Sequence, residues 1–182
     1  MSSPMPRTPR HLHAAVILLG LGQAAHAACT DTPAPAAQWR RCLLDGTDLT
    51  GANLEGADLR DASFKRTELR GANLANVQGR RARFVSSGLQ EVNLTGADLV
   101  QADFTNADLT GAKLVGASLR SARLFQANLR GADLTDAVLQ DADLLRTDFS
   151  GARWIDGRTI CAEGSIDRCH PSAATTESKV QG

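Results

Sequence analysis

The chain has 182 residues, 42% of them hydrophobic but only 4% aromatic, with five Phe, two Trp and no Tyr. That length suits one domain, and the scarcity of large side chains excludes a wide globular core. Twenty basic residues balance twenty acidic ones, which predicts neither general nucleic-acid binding nor a strongly acidic imitation of nucleic acid.

Residues 1–27 read as a secretory signal peptide. Arg7 and Arg10 supply its positive region, Ala14 to Gly22 an apolar stretch too short to span a bilayer, and Ala25-His26-Ala27 a cleavage site before Ala28. Cleavage removes two bases and no acid, so 18 basic residues then face 20 acidic ones, a net charge of −2. An exported protein, periplasmic or secreted, is the expectation. Lipoprotein processing with anchorage at Cys29 competes with it, since small residues precede that cysteine, although His26 stands where an aliphatic residue is expected. An uncleaved apolar helix is the third reading. No later segment is apolar enough to cross a membrane.

Residues 28–46 read as an N-terminal cap, in which Trp39, Leu43 and Leu44 cover the near end of a repeat that begins at Thr47, and Leu44 continues the five-residue register backwards with Cys42 two places before it.

Residues 47–156 are one five-residue phrase repeated 22 times without insertion or deletion, from Thr47-Asp48-Leu49-Thr50-Gly51 to Ala152-Arg153-Trp154-Ile155-Asp156. We number each pentad i−2 to i+2, with the Leu or Phe at i. Positions i−2, i−1 and i alternate apolar, polar, apolar, as in a strand with i−2 and i inward. The next inward residue arrives one place late, so the chain bends once per pentad and winds into a coil.

Three positions set the coil at four pentads. The hydroxyl residues at i−2 are Thr47, Thr67, Ser87 and Thr147, separated by multiples of 20, and Phe64, Phe84 and Phe104 recur at 20. Glycine at i+2 falls in only two of the four classes. Face one carries Leu49 and its successors, face two Leu54, face three Leu59 and face four Phe64. About 5.5 coils stacked at the inter-strand spacing make a rod roughly 26 Å long. Glycine corners on faces one and two suit type II turns. Residues such as Asp61, Arg81, Arg66 and Asn106 on faces three and four predict a different turn there. Gly79 replaces an inward Leu and predicts a void or pinch in the core.

Tandem Ala-Asp/Asn-Leu-x-x phrases in register resemble the pentapeptide-repeat family over about 60% of the chain. The resemblance implies an all-β fold, a right-handed quadrilateral β-helix with four pentads per 20-residue coil, capped at both ends. It also implies that i−2 and i lie inside. Some cytosolic members imitate DNA and regulate type II topoisomerases. An export signal and a near-neutral charge set this chain apart from them.

Residues 157–170 read as a C-terminal cap, with Trp154, Ile155, Ile160 and Ile166 forming a lid, and residues 171–182 as a disordered tail. Four cysteines flank the repeat in two pairs. In an exported chain they predict disulfides 29–42 and 161–169, because a stiff rod keeps its two ends apart. A partial metal site at Cys161, Cys169 and His170 is the competing reading.

Nothing in the sequence predicts an enzyme, a cofactor or a resident metal. The mature chain keeps one histidine, His170, and lacks hydrolase, zinc-protease and phosphate-loop motifs. Its Asp residues at i−1, such as Asp98, Asp103 and Asp108, point outward along successive faces. Charge is nonetheless uneven. Arg60, Lys65, Arg66, Arg80, Arg81, Arg83, Arg120 and Arg123 gather along one longitudinal edge, a candidate surface for an anionic partner. A solvated charged face is the plainer reading. The expectation is a noncatalytic exported scaffold or protein-interaction module whose partner is a protein or an anionic envelope component. Nucleic acid is not expected as a partner, and the flat faces also suit a homodimer. An effector acting in another cell remains open.

Overall fold

The structure is a computed structural model that describes Cys29 and residues 32–173. The signal-peptide reading of residues 1–27 and the tail beyond Ala173 lie outside the described residues.

Each pentad settles its own backbone hydrogen bonds. The N–H of i donates to the coil above, as Leu54 does to Asn73 O at 2.8 Å. The N–H of i−1 donates to the coil below, as Asn73 does to Ala52 O, and that of i+2 donates upward again, as Gly56 does to Ala75 O. The next i−2 N–H closes the turn, as Ala57 does on Leu54 O at 3.0 Å. Only the N–H of i+1 lacks a main-chain acceptor, and a buried or half-buried donor needs one. Where Asp or Asn stands at i−1, its side chain supplies it: Asp48 Oδ1 accepts the N–H of Thr50 at 3.0 Å, and Asp133 Oδ1 that of Thr135 at 3.0 Å. This is why Asp and Asn recur at i−1.

Twenty parallel bridges, from Gln38–Asp58 to Asp133–Arg153, each join residues 20 apart. The square coil of four pentads is the direct consequence. Residues i−2 and i line a dry interior in which Leu54, Leu74, Leu94 and their counterparts are fully buried. The phenylalanines of face four stack in a column. Ring centroids of Phe64 and Phe84 are 5.1 Å apart and those of Phe84 and Phe104 4.9 Å, with planes 7° apart in each pair. Buried hydroxyls tie faces four and one together. Thr67 Oγ1 donates to Leu44 O at 2.8 Å and Thr147 Oγ1 to Leu124 O at 2.7 Å.

Four expectations need correction. First, all four corners turn alike. The non-glycine corners of faces three and four have φ between 53° and 62°, close to the 62° to 71° of the glycine corners. The closing bond recurs on face three, from Ala62 N to Leu59 O, and on face four, from Ala107 N to Phe104 O. Positive φ at the third turn residue with that bond is the type II pattern. The i+2 N–H must reach the coil above, as Arg81 N reaches Val100 O at 3.0 Å, so the ladder dictates φ whatever the side chain.

Second, the coil starts before Thr47. Gln38 pairs with Asp58 and Leu43 with Ser63. Trp39 and Leu44 are therefore interior i residues, 1% and 7% exposed, while Leu43 points outward. Cys42 sits buried at i−2 and is bonded to Cys29.

Third, no void lies beside Gly79. A Cβ built there would stand 2.9 Å from Leu99 Cδ2 and 3.9 Å from Val77 Cγ2. Leu99 leans into the space, and Val77 replaces the usual Ala.

Fourth, the C-terminal segment caps the rod by doubling back. Ile160 and Ile166 pair antiparallel with Arg153 and Asp148, and Cys161 with Pro171. Phe149 N donates to Ser165 O and Gly151 N to Cys161 O. Reversal of the strand turns Ile166 outward, and Ile155 also faces solvent. Buried Cys161 and Ser165 form the lid, above the edge-to-face pair of Phe149 and Trp154 at 5.3 Å. Cys161 is bonded to Cys169. This cap covers faces one and two. On faces three and four the rod ends at Leu139 and Leu144, whose N–H groups have no main-chain acceptor among the described residues.

Candidate interaction surface

Outward residues stand in columns, one per coil, about 4.8 Å apart. The eight basic residues named from the sequence occupy faces three and four. Arg60, Arg80 and Arg120 share the i+1 column of face three, and Arg81 stands at its i+2 corner. Arg83 and Arg123 share the i−1 column of face four, with Lys65 at i+1 and Arg66 at i+2.

The fold brings part of this set around one feature. A trough of about 940 Å³ runs along face four, lined by Asp61, Lys65, Arg81, Arg83, Asp103 and Arg123 among others. Arg66, Arg80 and Arg120 lie outside its lining.

Half of the set is matched by acids. Arg60 pairs with the nearly buried Asp58, and Arg80 with Asp98. Arg81 grips Asp61 through two bonds of 2.6 and 3.0 Å. Arg123 lies 3.7 Å from Asp103. The Arg81 guanidinium holds the Asp61 carboxyl below the usual carboxylate range, and Arg60 does the same to Asp58. Lys65, Arg66, Arg83 and Arg120 have no acid within 4.0 Å among the described residues.

Two arginines belong to this edge that the sequence assigned to a cap. Arg40 and Arg41 stand one coil below Arg60 and Asp61, and both lower the Asp61 carboxyl electrostatically. The signal was present: Ala37-Gln38-Trp39-Arg40-Arg41 is a pentad in phase, with Trp in place of Leu.

The i−1 carboxylates do not converge. Burial pushes Asp108 up, but bonds from Thr110 and Gln90 outweigh it and hold the carboxyl low. It serves its own turn. No three His, Cys, Asp or Glu side chains among the described residues are grouped to hold a metal ion, and no described helix is long and apolar enough to cross a membrane.

A family model described as pentapeptide repeats matches in eight copies, over residues 37–76, 87–124 and 117–153. The chain belongs to the pentapeptide-repeat family. Its fold is the right-handed quadrilateral β-helix of that family. The match begins at Ala37, where the coil begins, and skips residues 77–86. Those ten residues contain Gly79 and three of the arginines of the edge.

Several solved pentapeptide-repeat proteins resemble it. One from the thylakoid lumen of Arabidopsis thaliana is 23% identical, with 68% of this chain and 75% of that one covered and a TM-score of 0.34. HetL, involved in heterocyst differentiation regulation in Nostoc, is 32% identical, with 66% of each chain covered and a TM-score of 0.24. A third, also from Nostoc, is 40% identical over 47% of this chain and 67% of its own, with a TM-score of 0.33. No curated protein matches the chain.

Proposed function

We propose that this pentapeptide-repeat protein is a noncatalytic exported scaffold that presents the basic trough of face four to an anionic partner, a protein or an envelope component. One observation carries the reading. The family match breaks off over residues 77–86, where Gly79 stands at i and Arg83 at i−1, and the same residues place Arg81 and Arg83 in the trough. The coil needs neither arginine, since Asp, Ser or Gln fills the equivalent positions elsewhere, so a demand from outside the fold accounts for them.

Export is favoured by the basic, apolar and Ala-x-Ala pattern of residues 1–27 and by two disulfides, which persist in oxidising compartments. Bonding of Cys29 to Cys42 favours a free protein over a lipid anchor at Cys29. A DNA-like surface would require columns of acids, whereas face four presents cations.

The test is affinity capture of partners by the oxidised protein from envelope and extracellular fractions, beside a variant with Arg80, Arg81 and Arg83 changed to Glu. A partner set lost with the charge reversal fits the proposal. An unchanged set overturns it, and recovery of the protein in full-length cytosolic form overturns export.

A further inference from the structure

Asp103, inside the trough, shows what an ordinary pentad does: its Oδ1 accepts the N–H of Thr105 at 3.0 Å and the Thr105 hydroxyl as well. One coil below, Arg83 stands in the same column, bridged to Asp103 through the backbone. An arginine has no acceptor to offer. The N–H of Val85 is therefore left without an acceptor among the described residues, on the trough wall. Lys65, one coil further down, has its own N–H taken by Asp45 Oδ1 at 3.0 Å. Its ammonium has no acid within 4.0 Å among the described residues, like the Arg83 guanidinium. One coil above Asp103 the substitution recurs: Arg123 occupies i−1, and the Phe125 N–H has no acceptor among the described residues.

The pattern has a chemical meaning. Where Asp103 and Asp143 of the same column place a carboxylate, Arg83 and Arg123 place a cation, and the donor that an Asp would have satisfied remains open beside it. We propose that carboxylates of an acidic segment of a partner protein take the acceptor position at Val85. One Glu or Asp side chain of the partner accepts the Val85 N–H and pairs with Arg83 and Lys65. A second, two coils or about 10 Å along, meets the Phe125 N–H and Arg123. This names the partner chemistry for the trough and rests on the reading of that trough as the partner surface. Carboxylates fit better than dense phosphate or sulfate polymers for two reasons. The site reproduces the geometry in which Asp103 already bonds Thr105. Asp61 and Asp103, inside the trough, repel an unbroken run of negative charge while leaving room for spaced ones.

The fold's own rule supplies the decisive variant. In Arg83→Asp the new carboxylate closes on the Val85 N–H as Asp103 does on Thr105, so the coil is kept and the site is filled from within. Arg83→Gln removes the charge but leaves the N–H open, as Gln78 leaves that of Arg80. Arg66→Asp makes the same charge change outside the trough.

The probe is a labelled peptide with glutamates spaced by neutral residues, added to the oxidised protein, with the same peptide carrying glutamines as reference. Arg83→Gln is expected to weaken binding about tenfold and Arg83→Asp about a hundredfold, the range for loss of charge-assisted bonds, at unchanged or raised melting temperature. Arg66→Asp should change it less than threefold. In amide NMR spectra the Val85 and Phe125 signals should move on titration while that of Thr105 stays.

Equal loss in Arg66→Asp and Arg83→Asp means diffuse attraction; it overturns the carboxylate site and leaves the basic edge standing. A peptide that binds without moving the Val85 amide, or that polyphosphate displaces with the same amide shift, overturns it too. So does failure of the glutamate peptide to bind at all.

Discussion

Leu99 Cδ2 stands 2.9 Å from the point where a Cβ on Gly79 would lie. Leu99 is fully buried, so its methyl would have to shift within the packed core to admit a side chain there. A larger residue at Gly79 thus overpacks the core instead of filling a hole. We expect Gly79→Leu to lower stability by about 1–3 kcal/mol, read from denaturant unfolding. A gain in stability would mean that the space is open after all.

The corner geometry makes opposite predictions for two kinds of residue. Ser121 adopts φ 53° at a face-three corner, a conformation that glycine enters more freely. Ser121→Gly should raise stability by up to about 1 kcal/mol. Gly71, at φ 62° with open space around its Cβ position, should lose about 1 kcal/mol on change to Ala. Thermal melts of the two variants check the signs.

The C-terminal cap depends on its crosslink. Removing the Cys161–Cys169 bond by paired Ser substitutions should cost about 2–3 kcal/mol in the chain-entropy account. The loss should be local first. Amide exchange should quicken at Phe149, Gly151 and Trp154, whose N–H groups donate to the cap, before it does at Leu94.

Acid should loosen the same cap. Thr159 Oγ1, then the backbone N–H groups of Thr159 and Arg158, donate to the Asp156 carboxyl and hold it down to about 2 from an ordinary 3.8. A depressed folded value contributes stability that is present above the unfolded one and lost as pH falls through the folded one. Protection at Thr159, its exchange taken relative to the intrinsic rate at each pH, should therefore fall between about pH 4 and pH 2, and Asp156→Asn should show the lower protection already at about pH 7.

Much of the rod was legible because its signals are periodic. The hydroxyls at Thr67 and Thr147 and the column from Phe64 to Phe104 repeat at 20 because each coil stacks on the last. The corners at Arg81 and Asn106 were misread because single-residue preference was weighed against nothing. The ladder bond from the i+2 N–H outweighs it. Cys42 and Leu44 were legible in phase before Thr47, whereas Trp39 hid the pentad before them by replacing Leu. The open donor at Val85 was written in the sequence as Arg83 at i−1. It became readable only once the structure showed what Asp does at that position. Pairing of Arg81 with Asp61 crosses from one coil to the next, and no local pattern announces it.

The constant separation of 20 residues between parallel-bridged partners also bears on how the molecule yields to force. Among the described residues no bridge links distant coils, and each disulfide stays within its own end. A chain drawn from one terminus has no remote contact to break. It sheds the solenoid a coil at a time, each detachment freeing about 65 Å of extended backbone, so a pulling trace should be a sawtooth of even teeth.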